Sequence, residues 1–123
     1  MSVNQKILIV EDEELILKAL SEGFKRRGFE IIKATDGKKG LEFIENESPD
    51  LVLLDLILPV MNGQEVLEKM KAKDLLKKVP VIVLTNVSDG ATLKKCMEMG
   101  AKEYIIKANF SFEDMERAIK RVL

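Results

Sequence analysis

The sequence predicts an α/β domain built on a doubly wound, five-stranded parallel sheet, and three observations carry that prediction. Short apolar runs alternate five times with longer segments of helical periodicity. The run Leu51-Val-Leu-Leu54 has no polar face, as a strand buried on both sides requires. No linker, repeat or low-complexity tract interrupts the alternation, so helices must cover both faces of one sheet. Right-handed crossovers leave few ways to wind such a chain. Periodicity alone does not give the strand order.

Taken in order, Lys6-Ile-Leu-Ile-Val10 is the first strand and runs straight into Glu11-Asp12-Glu13-Glu14. Ile16, Leu20 and Phe24, spaced by four with Ala19 beside them, give the first helix its apolar stripe, and Gly28 is its stop. Residues 29–34 form the second strand. Thr35 or Asp36 caps a helix that carries Leu41 and Ile44 and ends at Ser48-Pro49-Asp50. After the third strand comes a loop with Pro59 and Gly63, then a helix with Val66, Leu67 and Met70. Residues 71–78 are a lysine-rich connection anchored by Leu75 and Leu76. Residues 80–84 form the fourth strand, which runs out into Thr85-Asn86-Val87-Ser88. The helix at residues 89–99 is expected to pack through Leu93, Cys96 and Met97, with Met99 also inward and Gly100 as its stop. Glu103-Tyr-Ile-Ile106 is a short fifth strand delivering Lys107. Ser111 and Asp114 have capping-box spacing, and Met115, Ala118, Ile119 and Val122 line the last helix.

Length and composition bound the answer further. The 123 residues fit one domain, 1–123, which buries roughly two-thirds of the surface its unfolded chain exposes. A net charge of −1, from 20 basic and 21 acidic residues, gives no field to draw in nucleic acid or anionic lipid. No leader is evident from Met1 onward, and no apolar stretch approaches the ~20 residues of a bilayer span, so a cytoplasmic protein without membrane insertion is expected. One cysteine rules out an internal disulfide. The absence of histidine removes schemes that need an imidazole from this chain.

Asp55 then demands explanation. An uncompensated polar group inside an apolar strand costs about 2–7 kcal/mol, and a carboxylate more, so Asp55 must sit where the strand emerges. In open α/β sheets that carboxyl edge is where ligands bind. Glu11 and Asp12 follow the first strand, Asp55 the third, Thr85 the fourth and Lys107 the fifth, all at that one edge. Clustered carboxylates repel unless a cation lies between them, and an all-oxygen donor set suits Mg²⁺. A hydroxyl and an ammonium beside them are what a phosphoryl group needs. Each residue alone has a plainer reading: helix-dipole acids for residues 11–14, a loop cap for Asp55, a strand end for Thr85, a solvated charge for Lys107 and a core aromatic for Tyr104. Their convergence on one edge favours a phosphoryl-transfer site.

With these residues in view, the chain resembles a response-regulator receiver domain, the phosphoacceptor half of two-component signalling, from Lys6 to Leu123. The resemblance rests on Glu11-Asp12, on Asp55 with Pro59, Met61 and Gly63 at the family's spacing, on Thr85, and on Tyr104 three residues before Lys107. It implies the flavodoxin-like strand order 2-1-3-4-5. It also implies that Asp55 accepts a phosphoryl group from a sensor histidine kinase or phosphotransfer protein. In that scheme Asp12 and Asp55 ligate Mg²⁺ directly, Glu11 does so through water, and the Ile57 carbonyl adds a further oxygen. Lys107 pairs with Asp55 and later with the phosphoryl group. Thr85 donates to it and Tyr104 moves into the space vacated. The output surface for a downstream protein target is then the helix at residues 89–99, the strand before Lys107 and the last helix. Such a protein is a switch and not a turnover enzyme.

Two positions depart from the family pattern. Ala108 stands where the family places a cis proline, an expectation that Lys107 is held differently, and Asn86 stands where it places a very small residue. Ile57, two positions past Asp55, is expected to shield an acyl phosphate from water. The alternatives are a pseudo-receiver that never carries phosphate, a flavin carrier, and an aspartate-dependent phosphatase. The last two are disfavoured because no Gly-rich phosphate loop follows the first strand and no second Asp lies two residues past Asp55. The chain ends in its last helix, which fits either a stand-alone switch or part of a longer regulator.

Overall fold

The computed structural model describes residues 4–87, 89–109 and 111–123. Residues 1–3 and Ser88, which figured above in the N-terminus and in the exit from the fourth strand, lie outside the described residues. Five strands alternate with five helices: β1 (Lys6–Val10), α1 (Glu14–Arg26), β2 (Glu30–Ala34), α2 (Gly37–Glu47), β3 (Leu51–Leu54), α3 (Gly63–Ala72), β4 (Val81–Thr85), α4 (Gly90–Met99), β5 (Glu103–Ile106) and α5 (Phe112–Val122). A single 3-10 turn, Lys107–Asn109, follows β5. The strands pair in the order β2-β1-β3-β4-β5, and every pairing is parallel.

The two-residue period of the strands sorts the core into two layers. Leu8, Val10, Val52, Leu54, Val81 and Val83 face α2, α3 and α4, while Ile7, Ile9, Leu51, Leu53, Ile82 and Leu84 face α1 and α5. Every one of these side chains is essentially inaccessible. Each contributes about 1.5–3 kcal/mol of hydrophobic stabilisation. The central strands β1, β3 and β4 are therefore apolar apart from Lys6 at the start of β1 and Thr85 at the end of β4, whereas the edge strands β2 and β5 carry exposed residues.

Local signals mostly fall where the sequence put them. Asp36, not Thr35, caps α2 by accepting the Lys39 N–H. Ser111 and Asp114 form the expected capping box at the start of α5. Strand β2 begins one residue later than read. Gly28 adopts φ +93°, and the Phe29 N–H bonds the Phe24 carbonyl at 3.1 Å, so Phe29 belongs to the motif that closes α1. Met97 is a correction. It is 38% exposed, because the buried stripe of α4 runs through Leu93 and Cys96 and continues to half-buried Met99, leaving Met97 on its flank. Among the described residues no helix is long and apolar enough to cross a membrane.

Candidate phosphoryl-transfer site

The sheet itself delivers the acidic residues. Val10 pairs with Leu54 in register, and the ladder continues one step further: the Glu11 N–H bonds the Ala34 carbonyl at 3.0 Å and the Asp55 N–H bonds the Val10 carbonyl at 3.1 Å. Backbone bonds thus fix Glu11 and Asp55 side by side before any side chain is placed. Thr85 ends β4 opposite Ile106, so Lys107 emerges beside it. Gly63 completes the frame, because a Cβ there would lie 2.3 Å from the Asp55 carbonyl oxygen. Only glycine lets α3 start that close to the site. Asn62, which the sequence reading passed over, caps α3 through the Glu65 N–H at 2.9 Å. Its position one residue before the helix, with Glu65 at the third helical position, was a usable signal.

Carboxylate oxygens of Glu11, Asp12 and Asp55 all lie within 4.8 Å of one another. Glu11 and Asp55 are buried and Asp12 is exposed. Only Glu14 lies in the first turn of α1, so Glu11 and Asp12 precede the helix that might have explained them. Lys107, buried to 10% side-chain exposure, bridges the two buried acids: its Nζ donates to Asp55 Oδ2 at 3.0 Å and to Glu11 Oε1. The remaining oxygens accept backbone donors, Asp55 Oδ1 from the Ile57 N–H at 3.3 Å and Glu11 Oε2 from the Glu13 N–H at 3.1 Å. Lys107 takes this place with Ala108 after it and no cis peptide among the described residues.

The titration of Glu11 and Lys107 is set by burial against their mutual bond. Burial pushes the Glu11 carboxyl above its ordinary 4.5 and outweighs the pull of the Lys107 bond, the Glu13 N–H and the lysine charge. Burial also works to lower Lys107, but its bonds to Glu11 and Asp55 and their charges prevail and hold it above 10.5. In a balanced ion pair the acid would move down as the base moves up. Here both rise, because burial outweighs the lysine at Glu11 while the two acids outweigh burial at Lys107.

A divalent hard cation fits this donor set, which is all oxygen and twice anionic beyond what Lys107 neutralises. Asp12 and Asp55 open into a cleft of about 370 Å³ lined also by Glu13, Ile57, Thr85, Asn86, Val87 and Lys107. That volume is ample for a phosphoryl group and several waters at about 30 Å³ each. Thr85 is fully buried, and its oxygen accepts the Val87 N–H at 3.2 Å, leaving the hydroxyl proton to point at another acceptor. Ile57 is 66% exposed on the rim. Tyr104 lies outside this cleft and is 43% exposed on β5, so it is not the core aromatic of the plainer reading.

Comparison with known proteins follows the same line. The sequence profile described as the response regulator receiver domain matches residues 7–120. The chain is 35% identical over 121 residues to sporulation initiation phosphotransferase F of Bacillus subtilis (strain 168), covering 98% of this chain and 95% of that protein. It is 35% identical over 121 residues to the alkaline phosphatase synthesis transcriptional regulatory protein PhoP of the same strain, covering 98% of this chain but 49% of that protein. The chain thus spans about half the length of several curated relatives. Among solved structures, a CheY-like response regulator receiver domain protein from Methanospirillum hungatei JF-1 superposes with a TM-score of 0.88 at 33% identity, covering 97% of this chain and 93% of that one. The receiver domain of sensor histidine kinase PA1611 from Pseudomonas aeruginosa PAO1 superposes with a TM-score of 0.87 at 25% identity over 98% of both chains, and it carries a magnesium ion in its active-site cleft.

Proposed function

Because the chain belongs to the response regulator receiver family of two-component signalling, we propose that it is a Mg²⁺-dependent phosphoacceptor switch with Asp55 as the acceptor. The observation that carries this reading is the meeting of Asp12, Asp55, Lys107 and Thr85 in one cleft at one sheet edge, with buried Glu11 bonded to the same Lys107. A carboxylate oxygen of Asp55 attacks the phosphorus of a phosphohistidine on a partner kinase or phosphotransfer protein. The P–O bond forms as the P–N bond breaks, and the imidazole leaves with the partner. This supplies in trans the histidine that the chain lacks. Bound Mg²⁺ would offset the charge of the carboxylates and of the incoming phosphoryl oxygens. Asp12 and Asp55 would hold it directly, Glu11 through water, and the Ile57 carbonyl would be a further ligand.

Lys107 is held by Glu11 as well as by Asp55. When Asp55 becomes an acyl phosphate, the ammonium therefore keeps one anchor while it turns to a phosphoryl oxygen. Thr85 offers its hydroxyl proton to another phosphoryl oxygen, drawing the segment after β4 inward. Tyr104 then moves from solvent into the space behind it, a population shift biased by a local charge. The face made by α4, β5 and α5 changes its binding of a downstream protein. The chain acts as a switch without turnover, in the compartment where its kinase presents the phosphohistidine, expected to be the cytoplasm.

Intact-mass measurement after incubation with Mg²⁺ and phosphoramidate tests this. Wild type is expected to gain one phosphoryl group and Asp55→Asn none. No adduct on wild type would make the chain a pseudo-receiver, and consumption of donor far beyond one equivalent would make it a phosphatase.

A further inference from the structure

Strand β2 leaves one side of its backbone open. It is an end strand of the sheet and pairs only with β1. The Glu30 N–H bonds the Gln5 carbonyl at 2.9 Å, and the Ala34 carbonyl accepts the Glu11 N–H at 3.0 Å. In a parallel ladder the N–H and C=O of one residue point the same way and those of the next residue point oppositely. Glu30, Ile32 and Ala34 therefore face β1, and the N–H and C=O groups of Ile31 and Lys33 face away from the sheet, a template for one more strand. Beside this edge runs a groove of about 490 Å³ between α1 and β2, larger than the phosphoryl cleft and sharing none of its lining residues. Its buried lining residues are Leu17 and Ser21, whose hydroxyl is turned back onto the Leu17 carbonyl at 2.6 Å. Lys18 and Lys25 on α1 and Lys33 on β2 stand around it, all exposed.

Charge around this groove is unbalanced. Among the described residues none of the three ammoniums takes part in an ion pair. Two acids, Glu14 and Glu22, also line the groove, but Glu22 is already paired with Arg26 at 3.7 Å. An exposed lysine on an edge strand ordinarily guards it against pairing. That accounts for Lys33 but not for Lys18 and Lys25, which lie on the helix and add positive charge where no guard is required. We propose that the edge of β2 is a docking site for an extended acidic segment of another protein. The segment adds a sixth strand beside β2 and turns every second side chain, Asp or Glu, toward Lys18, Lys25 and Lys33. Ile31 packs in the layer of α1 and α5, so Lys33, two residues on, points to the same face of the sheet. Alternate residues of the added strand meet that face. Backbone bonds to Ile31 and Lys33 supply affinity that any sequence can use, and the alternate acidic side chains supply the selection.

Amide NMR of the full chain tests this with two short capped peptides, one alternating valine with glutamate and the other alternating valine with lysine. The glutamate peptide is expected to bind with Kd below about 1 mM, to shift the Ile31 and Lys33 amide signals and to slow their exchange with solvent. The lysine peptide is expected to leave both amides unchanged. Lys18→Glu with Lys25→Glu, both exposed positions, is expected to weaken the glutamate peptide about tenfold or more without lowering the melting temperature, and added salt to weaken it in wild type. Lys33→Pro removes an outward N–H and no ladder bond, so it is expected to keep the fold and to lose the slowed exchange at Ile31. Equal binding of the two peptides, shifts that spare Ile31 and Lys33, or no binding of the glutamate peptide at millimolar concentration would each overturn the proposal. So would inorganic triphosphate shifting the groove residues where the glutamate peptide does not, which would make the groove a small-anion site. None of these outcomes depends on phosphorylation of Asp55.

Discussion

The two halves of the cleft are built differently. On one side Glu11, Asp55 and Lys107 are buried, and every carboxylate oxygen of the two acids has a named donor. Behind them α1 buries Leu17, Leu20, Ser21, Gly23 and Phe24. On the other side Thr85 is buried, but Asn86 is exposed, as is Tyr104 outside the cleft, and α4 buries only Leu93 and Cys96. Phosphoryl transfer needs groups fixed to within fractions of an ångström. A switch needs an element whose two packings differ by a few kcal/mol. The well-bonded half suits the chemistry and the thinly packed half suits the response.

The largest effect should come from unbalancing the rigid half. Lys107→Ala leaves two buried carboxylates without their cation, and breaking such a pair costs about 3–5 kcal/mol. Urea unfolding is expected to show a loss near the lower end, since Glu11 can take up a proton, and phosphoramidate labelling is expected to fail. A variant as stable as wild type would mean that the rigid half is not held through Lys107.

Next in size is the response to Mg²⁺ and pH. The Glu11 pKa is raised on folding, so without metal its contribution to stability is fully present below 4.5 and is lost as pH rises through its folded value. Lys107 is also raised, so its contribution persists throughout that range and is lost only as pH climbs through its folded value, above 10.5. Mg²⁺ must displace whatever proton Glu11 holds. Its stabilising effect, about 2.7 kcal/mol at a hundredfold excess over Kd, is therefore expected to be larger at pH 7 than at pH 5. Thermal melts with and without Mg²⁺ check this, and a gain independent of pH would separate Glu11 from the cation.

Smaller still is the effect of Ile57, which sits on the rim between the halves. Ile57→Asn is expected to speed hydrolysis of the acyl phosphate about tenfold, or about 1.4 kcal/mol of barrier, by admitting water. An unchanged half-life would remove Ile57 as the shield.

Most of the frame was legible because parallel strands buried on both faces leave unmistakable apolar runs, and because each run was followed at once by a polar residue of distinct chemistry. That placed Glu11, Asp12, Asp55, Thr85 and Lys107 at one edge without knowledge of the strand order. The bridge from Lys107 to Glu11 was not legible, since which of several neighbouring acids an ammonium reaches depends on side-chain reach and burial. The positive φ of Val60, +69°, was hidden because a β-branched residue gives no hint of it. Met97 was misplaced because four-residue spacing from Leu93 mimics a core position on a helix whose buried stripe is only one residue wide.

Hydrogen exchange, read by mass spectrometry on one sample before and after full labelling with Mg²⁺ and phosphoramidate, tests the division of labour most directly. The account predicts that before labelling the amides of α4 exchange faster than those of α1. After labelling, protection should change in the segment after β4, in α4 and around Tyr104, while α1 stays as it was. A fully labelled protein whose changes fell on α1 and spared α4 would contradict it.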